Sequence, residues 1–176
     1  MPSRLSSFFV PFMLILLAGC AGTSPTAPAR TAAVTTAGIL PDGAMVREIR
    51  VDLESVGLPA ERLESARKYD LDGRIAGDLQ ARLQATQSYD SEKGDVVLHI
   101  NVTRFRLRSG SAAFWLGAMA GADTLAVDVV VERNGRNLDT FATDTSTALG
   151  GMVVPAPSQR INRMSKELAR RIAARL

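Results

Sequence analysis

The chain is poor in the side chains that carry most metal and nucleophilic chemistry: one cysteine and one histidine stand among its 176 residues. A single cysteine excludes a disulfide within the chain. The one histidine, His99, stands between Leu98 and Ile100 in a run of alternating apolar residues. A zinc site would need carboxylates for its other ligands, and a Ser-His-Asp triad could use only this imidazole. We therefore predict a structural or surface histidine, no metal and no cofactor.

The sequence also lacks the short motifs that place a nucleophile or cradle a phosphate. It contains no G-x-S-x-G, no G-x-x-x-x-G-K-[ST] and no G-x-G-x-x-G. The stretch Asp70 to Gly73 resembles the start of a calcium loop, but Leu79 stands where an EF-hand needs its glutamate. Asp70 or Asp72 is better explained as a helix N-cap. We predict that the protein is not an enzyme; the alternative is an envelope hydrolase whose site is not visible in the sequence.

Charge of one sign is not in large excess. The chain has 21 basic and 18 acidic residues, and the predicted loss of Arg4 with the signal would leave a net charge of +2. Nucleic-acid-binding domains are typically strongly basic. We expect no nucleic-acid partner.

The N-terminus has the three parts of a secretion signal, in the usual order. Arg4 supplies a positive charge, residues 8–17 form an apolar run, and small residues precede Cys20. An apolar run of about ten residues is too short to cross a bilayer, which takes roughly 20. The placement of the cysteine directly after Leu-Ala-Gly disfavours the alternatives, a buried helix or an uncleaved anchor.

The string Leu17-Ala18-Gly19-Cys20 resembles the lipobox of bacterial lipoproteins. This resemblance implies that the Cys20 thiol receives a diacylglycerol and that its freed amine is then acylated. Two or three acyl chains anchor a protein firmly, where one does not. Under the sorting rule of enteric-type lipoproteins, Ala21 at the next position implies the outer membrane, with the domain facing the periplasm.

Composition divides the chain into three parts. Residues 1–19 are the predicted signal peptide, and residues 20–40 are rich in Ala, Thr and Pro without apolar periodicity, which is typical of a flexible tether. Residues 41–176 have the length of a single domain with one core.

Within the domain, hydrophobic periodicity predicts the order strand, helix, strand, strand, strand, helix. Alternation indicates the strands, and the parity changes near Thr103-Arg104, which indicates a bulge. Asn134-Gly135 is a two-residue hairpin signal, and the strand after it is Thr-rich, as an edge strand can be. Ser158 is the expected N-cap of the last helix. The predicted fold is α+β: a three- to four-stranded, mainly antiparallel sheet with two helices packed on one face. The two predicted helix faces are Leu71, Ile75, Leu79 and Leu83, and Ile161, Met164, Leu168, Ile172 and Leu176.

Together these features resemble a known family. A lipobox, an Arg-rich strand end, a Gly/Ala loop, a strand-Asn-Gly-strand hairpin and a C-terminal amphipathic helix are similar to the DUF4410 bacterial lipoproteins, a family of unknown function. The resemblance spans roughly Val46 to Leu176. More distantly the domain resembles small α/β lipoprotein domains that activate envelope enzymes or join transport assemblies. The resemblance implies no catalytic residue.

Two surface features suggest contacts. The segment 110–122 is apolar and Gly/Ala-rich where a short polar loop would suffice. It is a candidate membrane or partner contact, the alternative being a segment folded over its own core, and its candidate residues are Phe114, Trp115, Leu116, Gly117 and Gly121. The final helix has six cations against Glu167, which predicts either a solvated face or a basic patch for anionic lipid or an acidic partner. The candidate patch residues are Arg163, Lys166, Arg170 and Arg171. We therefore expect a lipid-anchored interaction module with an envelope protein as partner.

Overall fold

In a computed structural model, the described residues are 38–55, 57–109, 121–147 and 155–176. They form four strands and three helices, in the order β1, α1, α2, β2, β3, β4, α3. The bounds are β1 Val46–Asp52, α1 Ala60–Lys68, α2 Leu71–Ala85, β2 Val96–Arg106, β3 Asp123–Arg133, β4 Arg136–Thr147 and α3 Pro157–Ala173. The predicted α+β class is confirmed.

The four strands make one sheet in the order β1-β2-β3-β4. β2, β3 and β4 pair antiparallel, whereas β1 pairs parallel with β2. The parallel pair follows from the connection, since two helices carry the chain back before β2 begins. The predicted hairpin and edge strand are both confirmed: Asn134 and Gly135 have φ of 52° and 76°, as a type I′ turn requires, and β4 lies at the sheet edge.

The helix predicted between the first two strands is two helices rather than one. α1 ends at Lys68, and α2 begins at Leu71 after Asp70, which has φ 52° and ψ 50°. A left-handed residue cannot continue a right-handed helix, so the chain changes direction there. Asp70 is the N-cap of α2, as predicted, but its side chain makes no capping hydrogen bond. Its carboxylate lies over Gly73, where a Cβ would come within 2.6 Å of Oδ1.

The core lies between the sheet and the helices α2 and α3. Alternate residues of β2 and β3 are buried, and the predicted apolar stripes of α2 and α3 complete the cluster. At 25 cal/mol per Å² of apolar surface, such burial is the main stabilising term of a domain this size. Fully buried members include Leu71, Ile75, Leu79, Leu83, Leu98, Ile100, Leu125, Ile161, Met164 and Leu168.

The register shifts once in each of the three strand pairs, and the shifts in the two antiparallel pairs bear on the prediction and on the sheet edge. The register between β2 and β3 shifts between Val102 and Arg104, which confirms the bulge predicted there. A second shift leaves Leu138 of β4 without a partner in β3, and 42% of its surface is exposed. A bulge and an added twist on an edge strand hinder pairing with another chain. The second bulge therefore protects the open edge of β4.

The chain enters the domain beside its own last residue. The Ile39 amide donates to the Arg175 carbonyl over 3.1 Å, and the Leu40 amide donates to the Leu176 carbonyl over 2.9 Å. These bonds satisfy carbonyls that a helix C-terminus leaves without intrahelical partners. Residues 39 and 40 thus lie at the C-terminal end of α3. Within the described ranges, the helices are too short or too polar to cross a membrane.

Candidate interaction site at the loop end of the sheet

A buried ion cluster lies at the end of the sheet where β2 stops and β3 starts, which we call the loop end. Its members are Arg108, just after β2, Asp123, the first residue of β3, and Arg160, in the first turn of α3. Their exposed fractions are 6%, 0% and 1%. Charged side chains this deeply buried need partners, because burial removes the water that solvated them.

Asp123 is the centre of this cluster. Its Oδ2 accepts from Arg160 Nε at 2.8 Å, and its Oδ1 accepts from Arg160 Nη2 at 2.6 Å. Oδ1 also accepts from the Arg108 backbone amide at 2.9 Å, and Arg108 Nε lies 3.5 Å away. Arg160 Nη2 further donates to the Arg108 carbonyl at 2.9 Å. The two-pronged guanidinium–carboxylate geometry is the strong form of an ion pair.

The cluster has no catalytic geometry, but it fixes the chain. Its bonds join the end of β2, the start of β3 and the start of α3, so both ends of the connection 109–122 are held against α3. The cluster thus fixes the described residues that flank the segment 110–120.

Sequence reasoning missed this cluster, although the sequence contains a signal for it. Asp123 has the same parity as the buried residues Leu125 and Val127 of β3, and Arg160 stands one turn before Met164 on the apolar stripe of α3. A charge on a buried stripe needs an opposite charge nearby. Arg160 is one of the six cations of the final helix, and the predicted solvated or contact face is wrong for it, because its side chain is buried against Asp123.

The predicted contact residues Phe114, Trp115, Leu116 and Gly117 lie outside the described residues, as does Cys20. Gly121 is described and has φ +81°, a left-handed conformation that favours glycine. A Cβ there would lie 3.4 Å from Arg106 Nη1. Gly121 therefore serves the turn into β3.

A groove of about 260 Å³ opens between α1 and the end of β2. Arg62 Nη1 reaches across to the Phe105 carbonyl, 3.4 Å away. The described residues that line the groove include one carboxylate; they are Glu61, Arg62, Ser65, Phe105, Arg106 and Leu107. Two carboxylates are needed for the usual glycosidase mechanism, so this lining does not offer that chemistry.

His99 lies on the sheet face opposite the helices, as the strand pattern predicted. Its side chain is 30% exposed, and Nε2 lies 3.3 Å from Glu132 Oε2 on β3. That nitrogen has no hydrogen bond of good geometry among the described residues, so the contact is a close approach rather than an aligned bond. Among the described residues, no three His, Cys, Asp or Glu side chains come together as metal ligands.

The four basic-patch candidates of α3 are all exposed, but they differ in their partners. Arg170 Nε and Nη2 donate to both oxygens of Glu167, at 2.8 and 2.6 Å, and Arg171 Nε adds a bond at 2.9 Å. Arg171 Nη1 also donates to the Asp144 carbonyl at 2.6 Å. Arg163 and Lys166 make no ion pair with any described residue. The predicted N-cap Ser158 is wrong: Ala156 takes that position and Pro157 is the first helical residue, because proline is favoured there.

The Glu167 carboxyl provides a test of this arrangement. Hydrogen bonds from Arg170 and Arg171 lower its pKa from the ordinary 4.5 to about 2. A carboxyl whose pKa is lower in the folded than in the unfolded state stabilises the fold at pH values above the unfolded pKa. This contribution is lost as the pH falls from about 4.5 toward 2. We expect an NMR titration of the Glu167 side chain to give a midpoint near 2, rising in the Arg170→Gln/Arg171→Gln double variant. A wild-type midpoint near 4.5 would show that the carboxylate is not held between the two arginines.

A known protein family matches the part of the chain that contains two residues of the cluster. The family model of a domain of unknown function, DUF4410, matches residues 69–151. The resemblance to DUF4410 is confirmed. The DUF4410 segment contains α2, β2, β3 and β4, and with them Arg108 and Asp123. It ends before α3, so Arg160 lies beyond it.

Solved structures similar to this chain come from several bacteria. The PelC dodecamer of Paraburkholderia phytofirmans is 12% identical, with 78% of this chain and 91% of that chain covered and a TM-score of 0.43. Protein XCC0632 of Xanthomonas campestris is 9% identical, over 74% and 81% of the two chains, with a TM-score of 0.46. Lipoprotein GNA1162 of Neisseria meningitidis is 14% identical, over 74% and 98%, with a TM-score of 0.30. Similarity this low transfers no ligand, activity or partner. No curated protein matches the chain.

Proposed function

We propose that this protein is a lipid-anchored, non-enzymatic interaction module of the bacterial cell envelope. Cys20 bears the lipid and holds the protein in the outer membrane, with the domain in the periplasm. The segment 110–120 contacts an envelope protein. The observation that supports this most is the placement of two features at opposite ends of α3: the tether joins the domain at one end, and the buried cluster holds the base of the segment at the other.

The separation of these two ends is set by the length of α3. Its 17 residues extend about 25 Å at 1.5 Å per residue. The acyl chains and the contact segment therefore do not compete for the same space. A flexible tether of about 20 residues adds a root-mean-square reach of roughly 25 Å, so the partner need not lie next to the acylated cysteine.

The chemistry of the segment favours a protein contact. Phe114, Trp115 and Leu116 stand together among glycines and alanines. Tryptophan and other aromatic residues are enriched at the energetic centres of protein interfaces. The rigid base supplied by Asp123 and Arg160 lowers the entropy that binding would cost.

A photo-crosslinking amino acid at position 115 tests this function in intact cells. We expect a discrete adduct with one envelope protein, because the segment contacts that partner directly. The same crosslinker at position 138 is the matched control, since Leu138 is exposed near the Asn134-Gly135 hairpin, at the other end of the sheet. The adduct at 115 should be strongly reduced in a Cys20→Ser chain, which loses the acylation site and with it the anchor.

Three outcomes would count against the proposal. An adduct at 138 but not at 115 would move the contact to the hairpin end. Fatty-acid label retained on the Cys20→Ser chain would remove the lipoprotein assignment. Strong destabilisation of the domain by Trp115→Ser, with no adduct at 115, would assign the segment to the core.

A further inference from the structure

The outer face of α3 has a row of three cations, two of which have no ion-pair partner among the described residues. Arg163, Lys166 and Arg170 are exposed at spacings of three and four residues, which puts them on one side of the helix. Glu167 is the one acidic side chain of α3, and it bonds to Arg170 and Arg171. Arg163 and Lys166 have no ion-pair partner among the described residues. This surface is therefore basic and available.

The opposite face of the domain is different in kind. On the outward sheet face, two basic side chains lie beside carboxylates: Arg50 Nε donates to Glu48 Oε1 at 2.7 Å, and His99 Nε2 lies 3.3 Å from Glu132 Oε2. An ion pair such as Arg50–Glu48 leaves little net field for an external charged surface to recognise. On the helix face, Arg163 and Lys166 have no such neighbour among the described residues.

The position of the row relative to the tether indicates which anionic surface it meets. The tether joins the domain beside Arg175 and Leu176, the last residues of the helix that carries the row. From Arg163 to Arg170 the row covers about 10 Å at 1.5 Å per residue, and its last member is about one turn from that junction. If Cys20 is acylated, the bilayer surface is always within reach of this face. An anchor that keeps the row near the bilayer gives it a high effective concentration there. This strengthens weak binding although no new contact is made.

We propose that the α3 face formed by Arg163, Lys166 and Arg170 lies against the anionic phospholipid headgroups of the leaflet that holds the acyl chains. This inference rests on the proposed anchoring through Cys20. Cations near an anionic bilayer attract it additively and in a salt-dependent way. The contact lays α3 along the membrane surface and sets the orientation of the domain. The loop end is then displayed beside the membrane, at a fixed height.

Vesicle binding tests the proposal directly. The probe is the mature chain from residue 20 to 176 with Cys20→Ser, which contains the whole described domain and no acyl group. We expect it to bind vesicles that contain anionic phosphatidylglycerol and not vesicles of phosphatidylcholine alone. Binding should weaken with added salt. Arg163→Gln/Lys166→Gln should reduce it roughly 10-fold or more, at a few-fold per cation.

The control variant has the same change in net charge elsewhere. Arg104→Gln/Arg136→Gln removes two exposed cations from β2 and from the start of β4, and we expect its vesicle binding to stay within about twofold of the parent, as for surface substitutions outside a contact. Circular dichroism melting checks that both variants fold. We expect that they do, because all four side chains are exposed.

Several results would overturn the proposal. They are absence of binding to anionic vesicles, binding that is equal for neutral vesicles, and equal losses in the two double variants. Loss of the position-115 adduct in Arg163→Gln/Lys166→Gln, with vesicle binding unchanged, would assign the row to an acidic protein surface instead. The interaction-module function and the lipid contact fail separately, because the first is read from the adduct at 115 and the second from vesicles alone.

Discussion

Methionine in place of Arg160 should lower the free energy of unfolding by about 3–5 kcal/mol, the usual cost of removing one partner of a buried ion pair. The guanidinium makes two bonds to Asp123, which is 0% exposed, and one to the Arg108 carbonyl. Among the described residues, the carboxylate would then keep Arg108 as its partner. Chemical denaturation monitored by circular dichroism measures the change.

The matched control for this substitution is Arg163→Met, on the same helix but exposed, which should change stability by no more than about 0.5 kcal/mol. A double-mutant cycle with Asp123→Asn isolates the interaction, and the two changes should not add. Equal, small effects of Arg160→Met and Arg163→Met would mean that the cluster does not hold the loop end together.

Leu79→Ala should also be costly, by about 2–5 kcal/mol, because it removes buried methyl groups and leaves a cavity. Leu79 is 0% exposed, in the middle of the apolar stripe of α2 that faces the core. Leu138→Ala makes the same chemical change at a side chain that is 42% exposed in a bulge of β4. That control should stay within about 0.5 kcal/mol of the wild type. Thermal or urea unfolding of both variants measures their free energies of unfolding. Similar decreases in the two variants would contradict the burial described for α2.

Most of the fold was predictable because its signals are local. Alternating apolar residues identify β2 and β3, a stripe at every fourth residue identifies α2, and Asn134-Gly135 specifies the hairpin. Even the bulge after Val102 was visible as a change of parity. The break between α1 and α2 was not, because it depends on the left-handed backbone of Asp70, a conformation that an aspartate adopts only in some contexts.

The candidate site was predictable only in part, because it depends on which charges tertiary structure brings together. Asp123 and Arg160 are 37 residues apart in the chain, and no local pattern pairs them. Taken one at a time, a charge at a strand start and a charge in a helix are ordinary. Two sequence features place them in the core. Asp123 has the parity of the buried residues of β3, and Arg160 lies on the apolar stripe of α3. The pairing of Arg170 with Glu167 is easier to predict from the sequence, since residues three apart on a helix are neighbours.

The junction of Ile39 and Leu40 with the last turn of α3 has a practical consequence for fusion proteins. Because the chain enters the domain beside residues 175 and 176, a fluorescent protein or affinity tag attached after Leu176 would start next to Ile39 and Leu40. It would leave the loop end uncovered, yet it would crowd the end of α3 that we propose lies close to the bilayer. A reporter inserted at the exposed Asn134-Gly135 turn avoids the helix terminus and its hydrogen bonds.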